Sequence, residues 1–124
     1  MEVTAKKNEQ VANMVFAKIY HLYLNRIIKN SRTKEELNQV IEWLTGYDDA
    51  QLQQLIDKKV TIETFFENAN MHPNTYLIKG VVCGYRIENI SDEFITYKHC
   101  RAMEKLIDEL AKGRKMETIL RSVK

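Results

Sequence analysis

The chain has 124 residues and a formal net charge of +2, with 44% hydrophobic and 29% charged residues. Those values fit one soluble globular domain and exclude collagen-like, disulfide-rich, disordered and membrane classes. They select no activity. The charge is nevertheless segregated, with a net of +5 over residues 1–34, −6 over 35–70 and +3 over 71–124. The simplest expectation is that basic and acidic elements lie side by side in the fold and neutralise locally.

Residues 1–8 lack an apolar leader region and are expected to form a loosely ordered tail. From Asn8 to Lys29 the spacing predicts one long helix, with Ala12, Phe16, Ile19, Tyr20, Tyr23 and Ile27 on its buried stripe. Polar residues Asn13, Lys18, His21, Asn25 and Arg26 interrupt it, so it is not a membrane span. Thr33-Lys-Glu-Glu36 is a capping box that starts the next helix, and Gly46 stands where a left-handed residue stops it. Asp48 and Thr61 are expected to cap two further helices, the latter carrying Ile62, Phe65, Phe66 and Ala69. After the Asn70–Pro73 loop, Asn74 is a candidate cap.

Over residues 75–90, Leu77, Ile78, Val81, Val82 and Tyr85 fit helical spacing. A buried strand is the competing reading, because Val81-Val82-Cys83 is β-prone and two glycines disfavour helix. Helix is preferred, since no second strand is evident to pair with it. Ser91 then caps a long helix with Ile95, His99, Ala102, Met103, Leu106 and Leu110 on one face, ended by Gly113. Met116, Ile119, Leu120 and Val123 make a short final helix. The expectation is an all-α single domain of about five to seven helices.

Three stretches, Ile41-Glu-Trp-Leu-Thr-Gly-Tyr47, Gly80-Val-Val-Cys-Gly-Tyr-Arg-Ile-Glu88 and Leu106-Ile-Asp-Glu-Leu-Ala-Lys-Gly113, resemble the bacterial domain-of-unknown-function family numbered 2200. The likeness runs from about Met14 to Arg121. It implies a small, helical, cytoplasmic bacterial protein built as an orthogonal bundle, with no assigned activity.

The residues themselves offer few chemical groups. Gly80 and Gly84, one helical turn apart, suggest close approach of another helix, and less readily of a ligand. Cys83 and Arg86 share a face if that segment is helical, and an adjacent guanidinium favours a thiolate. A buried, inert thiol is the plainer expectation for Cys83. Cys83 and Cys100 form no Cys-x-x-Cys pair, which suits a reducing compartment. His21, His72 and His99 are scattered, no metal-ligand spacing appears, and His99 is expected to be a hydrogen-bonded core histidine. Asp48/Asp49 and Asp108/Glu109 are consecutive, diverge on a helix and suit a solvated surface.

Trp43 lies off its helix's buried stripe and Tyr47 follows the helix stop, so both are candidates to face a partner. The candidate binding surface is therefore Trp43, Tyr47, Gly80, Cys83, Gly84 and Arg86, with no catalytic residue, metal or cofactor assigned. Helix 34–45 and its successor resemble a helix-turn-helix, but the second begins Asp48-Asp49 and carries no cation before Lys58, which disfavours DNA. Cations at Lys112, Arg114, Lys115, Arg121 and Lys124 leave the C-terminus as the remaining nucleic-acid candidate. The sequence thus points to a cytoplasmic, non-catalytic interaction module that forms homo-oligomers or binds another protein. A small-molecule binder or enzyme using Cys83–Arg86 is the alternative.

Overall fold

The computed structural model describes residues 3–121. Seven α-helices are present among them: α1 (Ala5–Ala12), α2 (Phe16–Lys29), α3 (Lys34–Thr45), α4 (Asp49–Asp57), α5 (Ile62–Glu67), α6 (Ile95–Ala111) and α7 (Met116–Ile119). An antiparallel hairpin of β1 (Val81–Val82) and β2 (Tyr85–Arg86) interrupts the helices. The protein is predominantly helical, and the all-α expectation is corrected by that hairpin.

The polar start signals form as their chemistry requires. The Glu36 amide donates to Thr33 Oγ1 at 3.1 Å and the Thr33 amide donates to Glu36 Oε1 at 3.0 Å. Asp48 and Gln51 repeat that reciprocal pairing, and Thr61 Oγ1 accepts from the Thr64 amide. Gly46 is left-handed at φ 77°, and a Cβ there would lie 2.9 Å from the Asn70 carbonyl oxygen. The turn thus demands glycine for both backbone angle and space. His72, rather than Asn74, caps the 3₁₀ turn Pro73–Leu77, its Nδ1 accepting from the Asn74 amide at 2.9 Å.

The predicted helix 8–29 is two helices. Its chain is drawn extended at Val15, where it forms a β-bridge to Thr61. The Phe16 amide donates to Val60 O at 2.9 Å and the Ile62 amide to Met14 O at 2.8 Å. The starts of α2 and α5 are thereby tied together, and Phe16 stacks on Phe65 at 3.8 Å. Among the described residues, the segment before Asn8 joins helix α1. Thr4 caps α1, the Asn8 side chain accepts from the Tyr97 amide at 3.0 Å, and Lys7 Nζ donates to the Tyr85 hydroxyl. Met1 and Glu2, and at the other end Val123 and Lys124, lie outside the described residues.

Helix α6 is central, packing against α1, α2, α3, α5, α7 and β1. It therefore buries more than one stripe: Tyr97, Cys100, Ile107 and Ala111 as well as Ala102, Met103, Leu106 and Leu110. Phe16, Ile27, Leu37, Ile41, Leu44 and Phe65 close around it with no exposed surface. Burial of such side chains, at roughly 25 cal/mol per Å² of apolar area, is the main stabilising contribution.

Candidate functional site

The segment carrying most of the sequence candidates is the hairpin. Cys83 and Gly84 are its two turn residues, with φ 51° and 82°. Positive φ at both central positions suits the right-handed twist of a two-residue hairpin. Val81 pairs with Arg86 and Val82 with Tyr85. The preferred helix over 75–90 is thus replaced by a 3₁₀ turn, a hairpin and a second short 3₁₀ turn at Ile87–Asn89. The missing second strand is Tyr85-Arg86, in the same segment. Gly80 and Gly84 consequently do not share a helix face, and Cys83 and Arg86 are not one helical turn apart.

Cys83 sits instead at the end of a chain of polar groups reaching across α6. Its Sγ donates to Glu104 Oε1 at 2.8 Å, and Arg101 binds the other Glu104 oxygen and, at 3.0 Å, the Tyr97 hydroxyl. Tyr97 meets Tyr85 edge-on at 5.4 Å, and Tyr85 accepts from Lys7. The Glu104 hydrogen bond, then burial, push the Cys83 thiol up, outweighing Arg101 and Arg26. Arg86 instead faces Glu88 at 3.7 Å. A thiolate activated by Arg86 is therefore not the arrangement found. Cys100 is buried, which pushes its thiol up to about 12.

Trp43 and Tyr47 are anchored to the scaffold. Trp43 stacks on His72 at 4.1 Å, and the Tyr47 hydroxyl donates to Phe65 O at 2.6 Å. Trp43 also lines an open groove with Lys34, Glu35, Asn38, Glu42 and Asp49. Gly84 and Arg86 line a different depression, with Val3, Tyr85 and Phe94. The six sequence candidates thus fall in two separate places.

The Trp43 groove holds a pair that sequence reasoning missed. Burial and the facing Asp49 carboxyl raise Glu42 to about 7. The consecutive acids considered from sequence diverge, whereas the Gly46 turn folds Glu42 back against Asp49, seven positions on. A signal was present in the turn-forming Gly46 between two acidic helix ends. His99 is half-buried and tilted against Phe66 at 5.6 Å. Burial, then the charge of Lys98, depress its pKa, and the ring is half-buried where a core position was expected. Among the described residues no three His, Cys, Asp or Glu side chains gather as a metal site.

Charge is not neutralised evenly. Ion pairs join Arg26 to Asp108, Lys112 to Asp108 and Arg121 to Glu109. Within residues 35–70, only Glu36 enters one among the described residues, with Arg32. The expected local neutralisation therefore fails for the acidic block. It serves the basic C-terminal segment instead, where Lys112 and Arg121 are paired.

An apolar surface is left open beside α2. Of the exposed large hydrophobic residues, Met14, Val15, Leu22 and Ile28 lie along the start and outer side of α2. Within α2, His21 and Ile28 are seven residues apart and share a stripe, Leu22 lies about 100° around the helix from His21, and Met14 and Val15 precede the helix. Leu22 is 63% exposed and Ile28 55%. Beside them, Val15, Ala17 and Ile56 line a shallow depression rimmed by Lys18, Asp57 and Lys59. No helix among the described residues is long and apolar enough to cross a membrane.

The model of a family described as "Uncharacterized protein conserved in bacteria (DUF2200)" matches residues 10–121. The crystal structure of the uncharacterized protein SP1917 is similar at 33% identity and TM-score 0.83, covering 92% of this chain and 93% of that one. No curated protein matches the chain.

Proposed function

The chain belongs to the DUF2200 family of uncharacterised conserved bacterial proteins, and we propose that it is a non-catalytic interaction module that self-associates through the outer face of α2. The observation that carries this reading is the exposure of Leu22 and Ile28 on α2 and of Met14 and Val15 just before it. An apolar centre with a polar rim is the pattern of a protein contact surface. Lys18, Asp57 and Lys59 supply both charge signs at that rim, as a face that pairs with its own copy requires. Trp43 and Tyr47, anchored through His72 and Phe65, support the scaffold in this reading, and the Trp43 groove remains a surface for a different protein partner. Two free cysteines suit a cytoplasmic setting. The unpaired acids of residues 35–70 disfavour nucleic acid as the partner.

Light scattering on a sizing column tests the proposal. The natural chain is expected to approach dimer mass as concentration rises. The double substitution Leu22→Glu and Ile28→Glu is expected to remain monomeric with an unchanged circular dichroism spectrum, because both side chains are more than half exposed. A natural chain that stays monomeric at millimolar concentration overturns the reading.

A further inference from the structure

Two other exposed apolar residues, Tyr76 at 70% and Ile95 at 42%, lie far along the chain from the α2 face and flank a cleft. The cleft has a volume of about 350 Å³. It lies between the 3₁₀ turn at Pro73–Leu77, the residues after β2 and the first turns of α6. Ile78, Ile87 and Ala102 form its floor, each nearly inaccessible to solvent. Its size falls at the lower end of the roughly 300–1,000 Å³ that small-molecule sites occupy, enough for one or two rings.

The polar groups on its walls decide what kind of molecule fits. Lys98 Nζ donates to Asp92 Oδ1 at 3.0 Å. Glu88 Oε1 accepts from the Gly80 amide at 3.0 Å, while Oε2 faces Arg86. The Thr75 hydroxyl donates to His72 O at 2.6 Å. Each charged group in the lining thus has a partner, and an entering molecule meets no unpaired charge. His99 differs. Burial shifts its half-buried imidazole toward the neutral form, which carries one N–H donor and one ring-nitrogen acceptor.

The ion pairs at the mouth are solvent-exposed and contribute little, so what disfavours a charged head here is lying unpaired against isoleucine. A purely hydrocarbon ring leaves the imidazole without a partner once water is displaced. We propose that this cleft binds a small neutral aromatic molecule with one hydrogen-bonding heteroatom, of the phenol or indole class. Its ring lies between Tyr76 and the isoleucine floor, and its heteroatom meets His99.

Titration of the ¹⁵N-labelled full chain with phenol and indole tests this, with toluene, benzoate and benzylamine as comparison probes. Phenol and indole are expected to shift the amide resonances of Ile78, Ile87, Ile95 and His99 saturably, and each comparison probe to bind more weakly. Tyr76→Ala, at a side chain too exposed to matter for folding, is expected to weaken indole binding about tenfold, the equivalent of one lost aromatic contact. His99→Phe is expected to abolish the preference for phenol over toluene. The proposal is overturned if phenol and indole shift no cleft resonance at millimolar concentration. Equal binding of benzoate or benzylamine also overturns it, as does an unchanged affinity in Tyr76→Ala.

Discussion

Replacing Glu42 by Gln removes one of two carboxyl groups that the Gly46 turn folds together. The Glu42 carboxyl titrates at about 7 instead of the ordinary 4.5, because burial and Asp49 disfavour its ionised form. At ~1.36 kcal/mol per pH unit, that elevation corresponds to at most ~3.4 kcal/mol of ionisation cost. Glu42 is only partly buried on an open groove, so water and salt screen the cost to about 1 kcal/mol. Because the folded-state value is raised, the folded and unfolded chains both hold the proton below pH 4.5 and no penalty exists there. As pH rises from 4.5 towards 7, the unfolded chain ionises first and the fold loses stability. Glu42→Gln should therefore raise the Tm by ~3–6 °C at pH 8, where the penalty is complete, and leave it unchanged near pH 4. Thermal unfolding followed by circular dichroism at both pH values gives the comparison. Equal Tm values at pH 8, or the same gain at both pH values, refute the reasoning.

Two further expectations follow from backbone and thiol geometry. Gly46→Ala should cost more than Gly113→Ala in denaturant unfolding: both residues are left-handed, but only at Gly46 does a Cβ meet a carbonyl oxygen, whereas Gly113 faces open space. The expected cost is about 1 kcal/mol at Gly113 and ~2–4 kcal/mol at Gly46, and equal costs contradict the close approach to Asn70. Glu104→Gln should speed alkylation of Cys83 by iodoacetamide at neutral pH several-fold, because the carboxylate that holds the proton on sulfur is removed. Peptide mapping should show Cys100 unlabelled in the folded protein, and an unchanged Cys83 rate speaks against Glu104 as the controlling group.

Local signals carried much of the helical pattern. The Thr33, Asp48 and Thr61 caps and the Gly46 stop each depend on residues within a turn of one another, so α3, α4 and α5 are legible in order and nearly in length. The break before α2 is not, because Val15 is drawn out of helix by Thr61, 46 positions later, and nothing beside Val15 records that partner. The hairpin was hidden differently. Its strands have two residues each, too short to display alternation, and Leu77, Ile78, Val81, Val82 and Tyr85 satisfy a helical period equally well. Cys83 in the first turn position also lacks the Asn or Asp that usually marks such a turn. Once the hairpin forms, the chemistry read from sequence changes partner: Cys83 answers to Glu104 instead of Arg86. His99 was placed on the correct helix, but its environment is assembled from three separated segments and could not be read from its neighbours in sequence.

The docking of α1 onto α6 bears on how the protein is made. Lys7 and Asn8 find their hydrogen-bond partners at Tyr85 and Tyr97, which the ribosome adds only late in synthesis. An isolated helix of eight residues is not stable in water, so α1 waits unstructured until α6 has been completed. Helix α1 is thus among the last of the described elements to settle. During that interval Val3 and Val11, which later cover Tyr85 and Tyr97, are open to the nascent-chain chaperones that bind exposed apolar segments.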